Sequence, residues 1–217
     1  MAGGEHGSGH VGERVGSLVE HPTLRRIARS LKERPGALAP DDGSPRRAAV
    51  AVVFRQTDDD VLELLLIKRS EREGDPWSGH VALPGGRHDP EDATLQDTAV
   101  RETLEETGID IARDGHVLGT LDELRPRTPV LPPIIVTPFV AVVPATVSIE
   151  PSDEVADAFW VPLATLADPT IAIESEIKNR DATWRVPTYQ LGAHVVWGMT
   201  ERILRNLLSL IVDSSTA

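Results

Sequence analysis

Cysteine is missing from the 217-residue chain and aromatic residues are scarce, and both shortages exclude classes of function. Without cysteine there is no disulfide framework, no thiolate zinc site and no cysteine nucleophile. Phe, Trp and Tyr make up 4% of the residues, too few for the stacking platforms that bind single-stranded nucleic acid. The core must therefore be built from Val, Leu, Ile and Ala, and we expect no nucleic-acid partner.

Long apolar runs are missing as well. No uninterrupted run approaches the ~18–20 residues needed to cross a bilayer. The first ten residues, MAGGEHGSGH, have neither the basic nor the apolar region of a signal peptide. We therefore expect a soluble, cytoplasmic protein without a membrane partner.

Positive charge is in short supply. The chain has 34 acidic residues against 22 basic ones, a formal net charge of −12. Such a protein repels polyphosphates and anionic lipids unless a basic patch or a metal ion reverses the local field. A phosphate-bearing substrate is therefore expected to need a divalent cation.

The remaining composition is that of a folded chain, with 40% apolar and 26% charged residues, and its length fits one domain with short additions. Residues 1–16 are Gly, His and charge, and we expect a disordered tail in which His6 and His10 do not bind metal. The domain is expected over 46–212, followed by a tail at 213–217.

Between the first tail and the domain, residues 17–45 read as a helix and a linker. Apolar residues recur at helical intervals over 17–34, and Pro35 ends the pattern. Arg25, Arg26 and Arg29 face either solvent or a partner. The turn-rich stretch GALAPDDGSPRR then forms the linker.

Strands outnumber helices in the predicted domain. The aliphatic runs at 48–54 and 61–69, separated by QTDDD, predict a hairpin. A helix is predicted over 93–107, ended by Gly108. Further strands are predicted within 116–124, 132–144 and 154–163, where prolines confine them to sheet edges or strand ends. A second amphipathic helix is predicted over 193–212.

Three glutamates, Glu102, Glu105 and Glu106, stand at i, i+3 and i+4 of the first predicted domain helix, which places their carboxylates on one face. Like charges at these spacings destabilise an isolated helix by about 0.2–0.5 kcal/mol a pair, and binding of Mg²⁺ or Mn²⁺ by hard oxygen ligands would explain them. The alternative is a solvated acidic face. The preceding Gly85 and Gly86 let the backbone approach a ligand, and a carbonyl there could join the carboxylates around a cation.

Arg101 lies beside the glutamates. It can form an ion pair with Asp97, one turn back, or with Asp92 in the preceding loop. Either pair would fix how the loop folds over the helix.

These residues resemble a Nudix box, which reads Gly, five residues, Glu, seven residues, then Arg-Glu-apolar-x-Glu-Glu-x-Gly-apolar. The stretch RETLEETGI, from Arg101 to Ile109, matches apart from Thr103, which stands at a position that is usually apolar. With Gly86 as the first glycine, Asp92 replaces the Glu, and eight residues separate it from Arg101. The Asp and the additional residue are similar to the coenzyme A pyrophosphatase branch of the Nudix family.

A second stretch of the same branch lies upstream, in LLIKRSEREGDPWSGHVALPGG. The residues in register are Leu65, Leu66, Arg69, Ser70, Gly79, Pro84, Gly85 and Gly86. The departures are Ile67, Glu71, Asp75 and Leu83, and at Asp75 a basic position has become acidic. The resemblance extends over about 48–208.

The resemblance implies an α/β fold, a Nudix-like αβα sandwich with a mixed β-sheet between helices, and a pyrophosphohydrolase. It implies a Mg²⁺ or Mn²⁺ cofactor bound by Glu105, Glu106 and the Gly86 carbonyl. Glu102 would either be a further metal ligand or orient the attacking water. Glu154 matches an acidic position that adds a ligand or the base, with an exposed strand-start carboxylate as the alternative. Implied substrate-binding residues are Arg69, Lys68, Ser70 and Gly85. Arg69 is preferred over Lys68 because neighbouring strand residues face opposite sides.

The implied substrate is a small nucleotide, coenzyme A or an acyl derivative, split into 3′,5′-ADP and phosphopantetheine. The alternatives are ADP-ribose, NADH and dinucleoside polyphosphates, or a non-catalytic nucleotide sensor that uses the N-terminal helix as its contact. A homodimer is possible. Trp160, Trp184 and Trp197 are expected in the core or in a substrate wall.

Overall fold

The computed structural model describes residues 18–74, 77–126, 133–179 and 182–212. The predicted tails, with His6 and His10, and the substituted position Asp75 lie outside these ranges. The helices are α1 (Pro22–Glu33), α2 (Leu95–Thr107), α3 (Ile111–Asp114), α4 (Leu163–Leu166) and α5 (Gly198–Val212). The strands are β1 (Arg46–Gln56), β2 (Leu62–Arg69), β3 (Val81–Ala82), β4 (Gly85–Arg87), β5 (His116–Thr120), β6 (Ile134–Val143), β7 (Val155–Pro162), β8 (Ala172–Asn179), β9 (Ala182–Leu191) and β10 (His194–Trp197).

Seven strands form a mixed sheet in the order β3-β2-β1-β6-β5, with β4 paired to β1 and β7 paired to β2. The predicted hairpin is confirmed, since β1 and β2 pair antiparallel around the 57–61 turn. Strand β1 pairs parallel with β6, from Arg46 opposite Ile134 to Arg55 opposite Val143. The central strands of the sheet are thus β2, β1 and β6.

The central strands are apolar on both faces because helices cover both. On one face Ala49, Ala51 and Val53 of β1 join the cluster that includes Ala99 of α2. On the other face Val52 and Phe54 join the cluster that receives α1 and α5. The expected αβα sandwich, with a mixed sheet between helices, is confirmed. None of the helices in the described ranges is long and apolar enough to span a bilayer.

The N-terminal helix begins at Pro22, later than the predicted position 17, which itself lies outside the described residues. Its apolar face is buried, with Leu24 and Ile27 at 0% exposure and Leu31 at 4%. This face packs in one hydrophobic cluster with residues of α5, and α1 also contacts strand β5. The apolar face of α1 is therefore covered by other parts of the same chain. Arg25 and Arg29 are exposed, as expected for the solvated alternative.

The segment after α1 is bonded along its length to residues 120–125. Gly36 N–H donates to the Thr120 carbonyl at 3.1 Å, and Glu123 N–H donates to the Ala37 carbonyl at 2.8 Å. Ala37 N–H also bonds the Asp122 carboxylate at 2.8 Å. A Cβ at position 36 would overlap the Leu121 carbonyl, so only glycine allows this approach. The segment from 36 to 42 is named the arm below.

The prediction that prolines lie at edges or ends is wrong for β6. Pro138 lies in the middle of this strand, which is paired on both sides and buried throughout. Its carbonyl accepts from Leu121 N–H at 3.0 Å, so its nitrogen faces the same side. Strand β5 ends at Thr120, so the missing N–H lies opposite Leu121, one residue beyond the end of that strand.

The predicted C-terminal helix is also corrected at its start. Residues 194–197 form β10, and the helix begins at Gly198 instead of 193. The prediction missed the three-stranded sheet β10-β9-β8, because Val196 fits the helical apolar stripe. Gly192, at φ 59° just before the predicted helix, makes the turn that pairs β10 with β9. Val196 still packs with Ile203 and Leu207, but it does so from a strand.

Candidate active site

Helix α2 carries the predicted carboxylates and is capped at both ends. The Thr94 hydroxyl accepts from Asp97 N–H at 3.2 Å and donates to the Asp97 carboxylate at 2.8 Å. Gly108, at φ 73°, ends the helix in the left-handed conformation that favours glycine, as predicted. The helix is therefore fixed over 95–107, close to the predicted 93–107.

Thr103, which departs from the Nudix pattern, is fully buried on the inner face of α2. Its hydroxyl donates to the Ala99 carbonyl at 2.7 Å, one turn back. A buried hydroxyl is tolerated when it has a hydrogen-bond partner. The helix supplies that partner itself, which explains why a polar residue can stand at this apolar position.

The two glycines, predicted to form a tight turn with Pro84, instead begin strand β4 after a bend at Pro84, and this glycine turn lies directly under the acidic face of α2. Gly85 and Gly86 belong to β4, opposite Val50 and Ala49 of β1. Gly85 has φ 149°, and a Cβ there would overlap the backbone of β1. A Cβ on Gly86 would overlap the Glu102 carboxylate. Both glycines are therefore needed for helix and turn to approach this closely.

Glu106 is the most buried of the three α2 glutamates, with 5% of its side chain exposed. Its Oε2 accepts from Gly85 N–H at 2.8 Å and its Oε1 from Arg69 Nη1 at 3.2 Å. Burial raises the pKa of Glu106 to about 7, although the Gly85 N–H and Arg69 favour the charged form. A further positive charge at this position would stabilise the carboxylate.

Glu102 and Glu105 share the guanidinium of Arg101. Arg101 Nη1 donates to Glu102 Oε1 at 2.9 Å and to Glu105 Oε2 at 3.0 Å. Burial raises the pKa of Glu102 against the opposing effect of Arg101. Glu102 is 19% exposed and faces the turn, whereas Glu105 is 57% exposed. Glu102 and Glu106 thus converge on the turn, and Glu105 lies at its solvent side.

Of the two partners predicted for Arg101, the structure places Asp92 beside it. Arg101 Nε and Nη2 donate to the two Asp92 oxygens, each at 2.9 Å. These bonds hold the pKa of Asp92 well below its usual range. Asp97 instead serves the helix cap with Thr94. The eight-residue spacing is therefore compatible with a bidentate pair.

The predicted phosphate-binding residues lie at the end of β2, where a register shift separates Lys68 from Arg69. Arg69 contacts Glu106, on the face of the sheet that α2 covers. In the described part of the chain, Lys68 makes no ion pair with the glutamates, in keeping with the preference for Arg69. Ser70 is anchored nearby, since its N–H and hydroxyl donate to the carbonyls of Glu154 and Asp153 at 2.8 and 3.0 Å.

Glu154 lies just before β7, at the rim of the carboxylate cluster. Its side chain is 51% exposed and forms an ion pair with Arg72 at 3.0 Å. It is close enough to Glu106 for its charge to contribute to the raised pKa of that residue. Arg72 was not singled out from the sequence, because a lone arginine in a charged loop has no distinguishing pattern.

The other residues that sequence reasoning missed are His88 and Thr98. His88 Nδ1 lies 2.9 Å from the Thr98 hydroxyl, which donates to Asp92 at 2.8 Å. Neither position belongs to the resembled pattern. The only available signal was that Thr98 follows Asp92 by six residues on the predicted helix, which places it near the loop.

The tryptophans differ in their surroundings. Trp160 packs against the cluster below α2, with Arg55 4.2 Å from its ring centroid. Trp197 contacts the ring of His80 with centroids 4.6 Å apart. Trp184 is 37% exposed and is therefore not a core residue, and for it the substrate-wall alternative stays a prediction.

Carboxylate and backbone carbonyl oxygens, the donors at this site, are the ligands that hard divalent cations prefer. The carboxylates of α2 stand over two glycines whose missing side chains let the Glu102 carboxylate lie against the Gly86 backbone. Within residues 18–74, 77–126, 133–179 and 182–212, no three acidic or histidine side chains are grouped closely enough to enclose one ion. The positive charges among the carboxylates are those of Arg69 and Arg101.

A helix of aligned carboxylates, packed over a glycine turn in an αβα sandwich, offers oxygen ligands of the kind that hard divalent cations prefer. The model of the NUDIX domain family matches residues 45–180. An uncharacterised protein of Schizosaccharomyces pombe is 38% identical over 157 residues, 64% of this chain and 48% of that protein. The uncharacterised Nudix hydrolase NudL of Yersinia pestis is 34% identical over 163 residues, 75% of this chain and 78% of NudL.

Two solved structures share the fold. A MutT/nudix family protein of Enterococcus faecalis aligns with a TM-score of 0.54 and 18% identity, over 96% of this chain and 76% of that one. An Ap4A hydrolase of C. elegans, solved as a binary complex, aligns with a TM-score of 0.52 and 19% identity, over 77% and 98%. The chain belongs to the Nudix hydrolase family, whose members act on pyrophosphate bonds and typically need divalent metal ions.

Proposed function

We propose that this chain hydrolyses the diphosphate bond of a nucleoside diphosphate-linked substrate with the help of Mg²⁺ or Mn²⁺, and that the substrate is coenzyme A or an acyl-CoA. The observation that carries the proposal is the convergence of Glu102 and Glu106 on the Gly85–Gly86 turn. A solvated acidic face would not place a 5%-exposed glutamate against a backbone N–H. The burial of Glu106 therefore favours the functional alternative.

The residues that would hold the ion are Glu102, Glu105, Glu106 and the Gly86 carbonyl, and to enclose it the three carboxylates would have to move closer together than they lie in this structure. A bound divalent ion lowers the pKa of water and neutralises phosphate oxygens. The chain itself fixes the Glu106 carboxylate, because α2 is capped at both ends and Gly85 N–H donates to Glu106. Preorganisation of this kind avoids rearrangement when charge develops during the reaction.

Hydrolysis requires a water oxygen to bond to phosphorus while the bridging P–O bond breaks and a base takes the water proton. Glu102 can orient the water, and Glu154 can accept the proton because half of its side chain is exposed at the rim of the cluster. Arg69, beside Glu106, can bind a phosphoryl oxygen. No covalent intermediate with the protein is needed.

Coenzyme A is preferred because of two stretches of sequence. One is the Asp92–Arg101 spacing with its additional residue, which the fold accommodates as a bidentate pair. The other is the upstream stretch that contains Arg69 and Ser70 and ends in the glycine turn. Cleavage would release 3′,5′-ADP and phosphopantetheine or its acyl derivative.

A substrate panel tests the proposal. Coenzyme A, ADP-ribose, NADH and dinucleoside polyphosphates are incubated with the full chain in Mg²⁺ or Mn²⁺, and the products are identified by mass spectrometry. We expect coenzyme A to be cleaved with the highest kcat/KM. Preference for another compound would overturn the substrate assignment but leave the hydrolase assignment intact.

Calorimetric titration of the same compounds separates an enzyme from a sensor. Tight binding of a nucleotide without turnover in either metal would overturn the hydrolase assignment and favour a non-catalytic sensor.

Homodimer formation, which the sequence leaves possible, is measured in the same preparation by light scattering.

A further inference from the structure

A chain of hydrogen bonds runs from His88 into the carboxylate cluster. His88 Nδ1 contacts the Thr98 hydroxyl at 2.9 Å, and this hydroxyl lies 2.8 Å from Asp92 Oδ2. Asp92 in turn accepts both bonds from Arg101, whose Nη1 reaches Glu102 and Glu105. Three side chains, those of Thr98, Asp92 and Arg101, thus connect His88 to two of the proposed metal ligands.

The direction of each bond follows from the number of protons available. A threonine hydroxyl has one proton, and an ionised aspartate can only accept. The Thr98 proton is therefore directed to Asp92, with a weaker contact to the Thr94 carbonyl at 3.4 Å. His88 must then donate from Nδ1, which fixes the tautomer of the neutral ring.

The bonds on Asp92 show why Thr98 matters to Arg101. Asp92 Oδ2 accepts three bonds, from Thr98, from Arg101 Nη2 and from Asp89 N–H at 3.1 Å. Asp89 lies in the exposed loop, whereas Thr98 is fully buried on the helix that carries Arg101. Thr98 is therefore the rigid anchor that ties the Asp92 carboxylate to α2.

We propose that Thr98, supported by His88, is a positioning residue that fixes the Arg101 guanidinium between Glu102 and Glu105. Its hydroxyl orients Asp92, and Asp92 holds Arg101 through two parallel bonds. When the guanidinium is fixed, the Glu102 and Glu105 carboxylates keep a constant separation before substrate binds. The inference rests on the proposed function for its effect on turnover, but not for its effect on Arg101.

The experiment compares Thr98→Val with Thr98→Ser and with the control Thr103→Val. Thr103 is a matched control because it lies on the same helix, is equally buried and bonds only the Ala99 carbonyl through its hydroxyl. The first measurement is hydrogen exchange of the Arg101 Nε–H, followed by NMR on the full chain without substrate. The second is kcat and KM with whichever compound the panel selects.

We expect Thr98→Val to speed exchange of the Arg101 Nε–H and to lower kcat by about fivefold, the equivalent of one hydrogen bond of ~1 kcal/mol, with KM changed less than about twofold. Thr98→Ser, which keeps the hydroxyl, restores both values. Thr103→Val leaves both unchanged. Unaltered exchange in Thr98→Val would overturn the proposal.

Two safeguards keep the outcomes distinct. If Thr98→Val does not fold, Thr98→Cys replaces it, since a thiol is a weak donor, and unchanged exchange in that variant also overturns the proposal. If the wild-type chain hydrolyses nothing, the proposed function fails, while the exchange of Arg101 still decides whether Thr98 positions it. Equal loss of kcat in Thr98→Ser and Thr98→Val would overturn the role of the hydroxyl.

Discussion

At the scale of single residues, Glu106 carries the chemistry that we expect to be most sensitive. Glu106→Gln keeps the shape but removes the charge that the site offers to a cation, so kcat in Mg²⁺ should fall by about 10²-fold or more while the chain stays folded. Glu105→Gln should act in the same direction. Steady-state kinetics measure the activity of the two variants and circular dichroism their folding, and the exposed Glu33→Gln is the control. Near-normal turnover of pure Glu106→Gln would refute the assignment of Glu106 to the active site.

Gly86 offers a test of the close approach between turn and helix. Gly86→Ala places a methyl group against the Glu102 carboxylate, so we expect Glu102 to be displaced and kcat to fall at least about tenfold. The double variant Gly86→Ala with Glu102→Ala should regain the thermal midpoint lost by the single variant but not its activity. A fully active Gly86→Ala protein would show that the approach is unimportant.

Asp92 predicts a pH dependence of stability. Because Arg101 holds its pKa below the usual range, Asp92 stabilises the fold at pH values above its unfolded pKa, and this contribution is lost as pH falls through the folded pKa. Asp92→Asn should therefore lower the free energy of unfolding by about 1–3 kcal/mol at pH 7 and by less near pH 2. Urea unfolding at both values checks this, and a constant difference between the two proteins would contradict it.

At the scale of elements, α1 is predicted to stabilise the domain, although it lies before the matched residues 45–180. Ile27 is fully buried against the sheet cluster, so Ile27→Ala should lower the free energy of unfolding by about 2–5 kcal/mol. The exposed Arg29→Ala should change it by less than about 0.5 kcal/mol. Denaturant unfolding followed by fluorescence measures both, and equal effects would mean that the helix is not part of the core.

Elements with one strong local pattern could be predicted from the sequence. Helix α2 has a threonine cap, helical spacing and a terminal glycine, and its bounds were within two residues. Strand β6 shows the limit, because whether Pro138 disturbs a ladder depends on where β5 ends. The start of α5 was missed for a similar reason, since 194–197 pair with β9 through a turn at Gly192, while Val196 also fits the helical apolar stripe.

The candidate site was predictable in composition but not in its ion pairs. The spacing of Glu102, Glu105 and Glu106 indicated a shared face, and the glycine turn lies beside it. The sequence left open whether Asp92 or Asp97 pairs with Arg101, because both are within reach along the chain. Burial settles it, since Asp92 is only 6% exposed whereas Asp97 lies at the helix cap.

At the scale of the whole molecule, a net charge of −12 should oppose the approach of an anionic substrate. Added salt screens this repulsion, so KM for the cleaved compound should fall as NaCl rises from about 20 to 150 mM at constant free Mg²⁺. Initial-rate measurements with choline chloride as a second salt check it. A KM that rises with both salts would indicate that local attraction by residues such as Arg69 outweighs the overall field.

The bonds between the arm and residues 120–125 also have a consequence for synthesis. Ala37 and Asp122 are 85 positions apart, so at ~5–20 residues per second the ribosome makes the second roughly 4–17 seconds after the first. The apolar face of α1 is covered later still, because α5 begins at Gly198, well after Asp122. Throughout that interval Leu24, Ile27 and Leu31 of the nascent chain lack their packing partners, and their exposed apolar surface is one that a chaperone can bind.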